Sequence, residues 1–247
     1  MARGPLRMVA RGAGRVAERL GVDVVRHREF PPDFTPFEMD IIRAVRGHTM
    51  TSAERLFALI QAVRYVVAAG IPGAIVECGV WKGGSMMAVA HTLRRLGVAD
   101  RELYLFDTFE GMTDPGTEDV SYTGRPAAAD FSEDWLAVSV EAVREAVTSV
   151  GYPADRLHFV KGDVEQTIPG AAPESVALLR LDTDWYASTH HELVHLYPRL
   201  ASAGVLIIDD YGHWRGARQA VDEYVAETEL RLLLNRIDYS GRIAVKP

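Results

Sequence analysis

Two apolar runs in the second half of the chain end in paired acids. Ala177-Leu178-Leu179-Arg180-Leu181 leads into Asp182-Thr183-Asp184, and Val205-Leu206-Ile207-Ile208 leads into Asp209-Asp210-Tyr211. Both runs have the length and composition of buried strands, and adjacent strands lie about 4.8 Å apart. Carboxylates gathered that closely repel one another unless a cation sits among them. Their hard oxygens favour Mg²⁺, Mn²⁺ or Ca²⁺ over zinc. Capping offers a plainer account: Asp184 before a helix near Ser188, and Asp210 in a turn before Gly212. Capping explains one acid on each strand and leaves Asp182 and Asp209 over. The expected ligands are therefore Asp182, Asp209 and Asp210, with Asp184 in support. A bound divalent ion lowers the pKa of a coordinated hydroxyl, and a nearby base removes the proton. Asp182 is the first candidate for that base, with His213 and then His190 behind it.

A second group of residues lies upstream. The apolar run Ala74–Cys78 enters Gly79-Val80-Trp81-Lys82-Gly83-Gly84-Ser85 and then a helix-like segment. The loop lacks the Gly-Lys-Ser/Thr ending of a phosphate-binding loop, and its glycines do not follow Gly-x-Gly-x-x-Gly. Gly79 suits a tight turn, and Gly83 and Gly84 would let a ligand approach the backbone. Glu77 would repel a pyrophosphate but favours a cationic cofactor such as S-adenosylmethionine, whose ammonium it would approach. A glycine turn serving only close helix–strand packing is the competing account. Asp107, closing the run Leu103–Phe106, is suited to a ribose diol. Asp163 in Lys161-Gly162-Asp163 could meet an adenine amine, or could be a turn residue.

These residues need a scaffold that brings five strand ends together. Short apolar runs at 74–78, 103–106, 157–160, 176–181 and 205–208 alternate with helical patterns at 84–96, 134–150, 188–200 and 215–228. Helices are also expected at 37–46 and 52–69, the latter capped by Thr51 or Ser52, and further strands near 230–236 and 242–245. Such alternation predicts an α/β fold with a mostly parallel sheet and helices on both faces, and ligands at the carboxyl ends of the strands. With 247 residues, 48% of them apolar, one sizeable domain is expected. A net charge of −7 argues against general nucleic-acid binding, and the single cysteine, Cys78, excludes an internal disulfide. Arg3, Arg7, Arg11, Arg15 and Arg19 form a basic stripe if helical. The stripe suits peripheral contact with an anionic membrane, or simply a solvated helix or a dimer arm. With no long apolar run, a cytoplasmic location is the default expectation.

Read together, His48-Thr49-Met50, Glu77 to Gly84, Asp107-Thr108-Phe109-Glu110-Gly111, Leu179 to Asp184 with Tyr186, and Tyr197-Pro198-Arg199-Leu200 leading to Asp209-Asp210-Tyr211 resemble the macrocin, mycinamicin and novobiocin class of sugar O-methyltransferases. The resemblance runs from about residue 48 to 225. It implies a Rossmann-like methyltransferase fold on a seven-stranded sheet, with residues 1–70 as a helical arm and cap and 71–247 as the methyltransferase domain. It further implies S-adenosylmethionine as co-substrate and Mg²⁺ on Asp182, Asp209 and Asp210. Asp182 would be the base, and a sugar hydroxyl on a small molecule or oligosaccharide would be the acceptor. The expected cofactor-contacting set is Met50, Glu77, Gly79, Trp81, Gly83, Ser85, Asp107, Thr108, Phe109, Gly162 and Asp163. A homodimer is expected by resemblance alone. Residues 112–135 fit no pattern and are expected to form a lid over the acceptor.

Two other enzyme classes share parts of this pattern. A nicotinamide-dependent dehydrogenase or epimerase would want pyrophosphate-friendly glycines, and short-chain members need Tyr-x-x-x-Lys. None of Lys82, Lys161 and Lys246 has a tyrosine four positions before it. A catechol-type O-methyltransferase would keep cofactor and metal but take a flat phenol.

Overall fold

A computed structural model describes residues 29–132 and 134–247. The arginine stripe at 3–19 lies outside the described residues. Residues 35–247 form one compact unit, and the described residues 29–34 belong to another. In the first unit, the rings of Phe30 and Phe34 lie 5.9 Å apart.

The second unit is built on a seven-stranded sheet of order β3-β2-β1-β4-β5-β7-β6. Its strands are β1 (Ala74–Cys78), β2 (Leu103–Asp107), β3 (Leu157–Lys161), β4 (Val176–Leu181), β5 (Leu200–Ile208), β6 (Asn235–Arg236) and β7 (Arg242–Val245). The first five run parallel, while β7 is antiparallel to β5 and to β6. The expected mostly parallel seven-stranded sheet is thus present. The strand order reverses between β1 and β4, so the crevice at their carboxyl ends is where a ligand site belongs in such a sheet.

Helices α1 (Pro36–Val45), α2 (Ala53–Ala68), α3 (Gly84–Arg95) and α4 (Val140–Ser149) pack among themselves in one layer. Helices α5 (Val164–Thr167), α6 (Tyr186–Leu196) and α7 (Arg215–Glu227) pack in a second. The two helices expected to form a cap, α1 and α2, fold within the same compact unit as the sheet. Side chains alternate across the sheet. Val76 and Cys78 join the apolar cluster of Leu193, Leu196, Val221 and Tyr224 beneath α6 and α7. Glu77, between them, points to the other face and meets Arg180, its register partner on β4. Among the described residues no helix is long and apolar enough to cross a membrane.

Several element bounds differ from the sequence expectation. The helix expected over 134–150 starts at Val140, because Leu136 has a left-handed backbone (φ 64°) that no helix can contain. Ser139 then caps α4 through the backbone N–H of Ala142. Strand β5 begins at Leu200 instead of Val205. Gly204 reads as a terminator in sequence, but a register shift opposite Val176/Leu178 absorbs the irregularity and the strand continues. Of the two candidate caps for α2, Ser52 accepts from the Arg55 N–H at 3.1 Å.

Candidate active site

The loop after β1 is shaped by packing. Gly79 has φ 82°, and a Cβ there would overlap the carbonyl oxygen of Asp182. At Gly84 a Cβ would clash with the His48 carbonyl, and at Gly83 (φ 83°) with Val147 of α4. The expectation that Gly83 opens the backbone to a ligand is therefore corrected, whereas Gly84 also lines the cavity at the strand ends. Gly84 admits segment 46–51 and Gly83 admits α4, while Gly79 lets the β1 and β4 loops touch. Trp81, beside them, adopts φ 47°, a backbone conformation that non-glycine residues rarely take.

Asp107 holds this loop in place. Its Oδ2 accepts from the backbone N–H groups of Val80 (2.6 Å) and Trp81 (3.0 Å), and its Oδ1 accepts from Phe109 N–H (2.7 Å). Asp163 caps α5 through Glu165 N–H at 2.9 Å and also reaches the cavity, so its turn role is real.

A cavity of about 440 Å³ lies across the carboxyl ends of β1 to β5, within the range of small-ligand sites. Its wall contains Met50, Gly79, Trp81, Ser85, Asp107, Thr108, Gly162 and Asp163 from the cofactor set, and Asp182, Asp184, Asp209, Asp210 and His213 from the metal and base set. Glu77, Gly83 and Phe109 are not in it. Glu77 is a further correction. Its carboxylate is buried on the Arg180 guanidinium and is not part of the cavity wall. Burial pushes its pKa up to about 7 against the pull of Arg180, and its Oε2 has no partner. His190 stacks on Tyr186 of α6 at 5.7 Å, outside the wall.

Arg180 is the centre of the acid cluster. It is 2% exposed, sits in an otherwise apolar strand, and pairs with Glu77, with Asp182 Oδ2 at 2.7 Å and with Asp209 Oδ1 at 2.6 Å. The Thr51 hydroxyl accepts its fourth bond at 3.2 Å. Arg55 of α2 bonds Asp209 Oδ2 and, through Nε, Asp238 at 3.0 Å. Neither arginine has a role in the sequence analysis. For Arg180 the signal was there, a charge inside a buried strand. For Arg55 there was none, because its partners are 154 and 183 residues away.

Asp182, Asp209 and Asp210 each offer a carboxylate oxygen, all within 4.8 Å of one another, the one such group among the described residues. Burial, and then neighbouring acids, hold Asp182 and Asp210 well above the usual carboxylate range, although Arg180 opposes this at Asp182. Asp184 is pushed up to about 7 by burial and by Asp182. Asp210 Oδ2 is buried without a hydrogen-bond partner. An orphaned anionic oxygen among mutually repelling carboxyls fits a hard divalent cation. Asp209 would have to share an oxygen with a guanidinium. Asp184 does not cap α6. With φ 67° it instead accepts from Trp214 Nε1 at 3.0 Å.

The expected lid is a pinned segment. The buried Asp119 accepts from Tyr186 N–H (2.8 Å) and Gly116 N–H (2.7 Å), and a Cβ on Gly216 would overlap its Oδ1. Tyr122 N–H donates to the His213 carbonyl and Arg215 N–H to the Val120 carbonyl, both at 2.8 Å.

The family model for macrocin-O-methyltransferase (TylF) matches residues 18–245. The chain belongs to that family. Demethyldecarbamoylnovobiocin O-methyltransferase of Streptomyces niveus is 36% identical over 196 residues, 79% of this chain and 74% of that protein. A tetracenomycin-C 4'-O-methyltransferase of Streptomyces olivaceus, named for a 2,3-dimethoxy-alpha-L-rhamnosyl acceptor, is 37% identical over 79% of this chain and 74% of its own length. The solved structure of the O-methyltransferase NovP superposes with a TM-score of 0.74 at 35% identity, covering 81% of this chain and 82% of that one. The calicheamicin methyltransferase CalS11, at 20% identity and TM-score 0.63, shares the fold. Membership makes this chain an O-methyltransferase of the Rossmann-like class.

Proposed function

We propose that the protein transfers a methyl group from S-adenosylmethionine to a sugar hydroxyl of a glycosylated natural product or an oligosaccharide, assisted by Mg²⁺. One observation carries this reading: the acid trio and the glycine loop share one cavity wall, held together where Gly79 meets Asp182. The Streptomyces olivaceus relative is named for a rhamnosyl-bearing acceptor, which supports a sugar acceptor.

Gly79, Trp81, Ser85, Asp107, Thr108, Gly162 and Asp163 would hold the cofactor, and Met50 would cover it. Asp182, Asp209 and Asp210 would hold the metal, which when bound lowers the pKa of a coordinated hydroxyl. Asp182 is the base in this reading. It lines the cavity, and one of its oxygens is engaged by Arg180. Arg180 keeps Asp182 and Asp209 oriented. His213, whose pKa is lowered by burial and by Arg55, is the reserve acceptor.

Calorimetry of the full chain with S-adenosylmethionine and with NAD, each with and without Mg²⁺, tests the reading. S-adenosylmethionine should bind and NAD should not. Tight NAD binding without S-adenosylmethionine binding would sink it.

A further inference from the structure

Asp209 has both of its carboxylate oxygens engaged by guanidinium groups. Arg180 Nη2 donates to Oδ1 at 2.6 Å, and Arg55 Nη1 donates to Oδ2. The two arginines are held differently. Arg180 is buried on β4, with its bonds spread over Glu77, Asp182, Asp209 and Thr51. Arg55 stands in the first turn of α2 and lines the cavity, and its side chain is 13% exposed. Its Nε donates to Asp238 Oδ2 at 3.0 Å while Nη1 reaches across to Asp209.

The chain builds a berth for Arg55 at Asp238. That residue, in the turn between β6 and β7, accepts from the Ser52 hydroxyl at 2.8 Å. It also accepts from the backbone N–H groups of Ser240 (2.9 Å) and Gly241 (2.7 Å). A Cβ on Gly241 would lie 2.9 Å from Arg55 Cδ, so the glycine leaves room for the arginine stem. The Arg55 backbone N–H is held in turn by Ser52. Arg55 is thus anchored at its backbone and at Nε, and Nη1 can leave Asp209 while both anchors stay.

Asp209 is one of the three acids whose oxygens lie within 4.8 Å of one another. Whichever of its oxygens faces a cation, a guanidinium already holds that oxygen. A guanidinium and a divalent ion on one carboxylate oxygen repel each other at contact distance. Arg180 is locked in the strand by three acids, so Arg55 is the arginine that can give way. Were Arg55 only a brace between α2 and the end of β5, its removal would loosen the acids and weaken cation binding. Were it a competitor, its removal would strengthen that binding.

We propose that Arg55 is a positioning residue that competes with a divalent cation for Asp209. It occupies Oδ2, withdraws toward Asp238 as the cation binds, and holds metal affinity below what the three acids alone would give. The proposal rests on the metal-assisted reading above and names the group that tunes that metal site.

The test uses the full chain, Mn²⁺ as the probe, and electron paramagnetic resonance of free Mn²⁺ as the readout. Arg55→Met should tighten Mn²⁺ binding by about tenfold or more, since a full positive charge leaves an oxygen that the cation needs. Arg55→Lys keeps the charge but ends one atom short of the outer nitrogens, and a single ammonium cannot hold both acids. It should tighten binding by about threefold. Asp238→Asn removes the berth to which Arg55 withdraws and should weaken binding by about threefold. Circular dichroism checks that each variant is folded, and those that fold carry the test. Mn²⁺ affinity at or below the parent's in the folded Arg55 variants overturns the proposal, as does parent-like or tighter binding in Asp238→Asn. A gain in Arg55→Met with parent-like binding in Arg55→Lys overturns it in favour of a long-range effect of charge. Failure of Mn²⁺ to bind the parent and every variant would instead remove the metal site beneath it.

Discussion

At the ends of β1, β2 and β3 the chain is held by backbone donors, whereas at the ends of β4 and β5 it is held by ions. In the first region Asp107 satisfies three backbone N–H groups, and Gly79 and Gly83 absorb positive φ. In the second, Arg180 and Arg55 hold carboxylates drawn from both ends of the chain. Under the proposed reading the difference follows from what each half would do. A neutral nucleoside face is recognised by fixed dipoles and shape. A deprotonating centre needs concentrated negative charge, which is tolerable in a buried place only with fixed positive charge beside it. The two halves touch where Gly79 meets the Asp182 carbonyl and again through Glu192. That residue is fully buried on α6 and accepts from the Thr183 hydroxyl at 3.0 Å, while also meeting Cys78 of β1.

The largest effect should come from the ionic half. Arg180→Met leaves Glu77, Asp182 and Asp209 without their shared counter-charge and should cost about 3–5 kcal/mol in urea unfolding. A loss below about 1 kcal/mol would mean that Arg55 alone suffices, and the contrast between the halves would weaken.

Glu192 tests the seam between them. Burial pushes its pKa up to about 8 from 4.5, so the folded state holds its proton more tightly than the unfolded chain does. Its contribution is complete below about pH 4.5 and is lost as pH rises through about 8. Glu192→Gln cannot ionise, so the fall in stability between pH 5 and 8 should shrink by on the order of 3 kcal/mol. Identical pH profiles for variant and parent would show that Glu192 keeps its charge, and that the seam is ionic too.

On the backbone-held half, Gly79→Ala combines a left-handed backbone with overlap on Asp182. About 1–3 kcal/mol should be lost, along with affinity for S-adenosylmethionine. Thermal unfolding and calorimetry would read the two losses. Stability lost without affinity would place the glycine's role wholly in packing. The smallest effect belongs to Ser52, which caps α2 and also donates to Asp238 at 2.8 Å. Ser52→Ala should cost about 1 kcal/mol by chemical denaturation, and a parent-like midpoint would detach the cap from the ionic half.

Legibility in the sequence tracks the same divide. The glycine turn, Asp107 and the acids closing β4 and β5 could be seen because each is encoded within a few residues of its strand. The missed start of α4 turned on one left-handed residue, Leu136, whose conformation is imposed by the surrounding fold. The length of β5 depended on a register shift against β4, which is equally invisible from within the segment. Glu77 was read as a cofactor ligand because its place beside the first glycine suggested one. Its partner across the sheet, Arg180, lies 103 residues away.

By itself the sequence determined the alternation of strands and helices, the strand ends at which chemistry would gather, and the acids available there. Periodicity, glycine and charge act over short stretches of chain, so these features are local. Only the tertiary structure decided which acids face guanidinium groups and which line the cavity, and that Gly83 admits α4 instead of a ligand. It alone brought the rings of Tyr122, His213 and Tyr239 together. Those choices depend on packing between segments tens to hundreds of residues apart, where a side chain's environment is set by its neighbours in space.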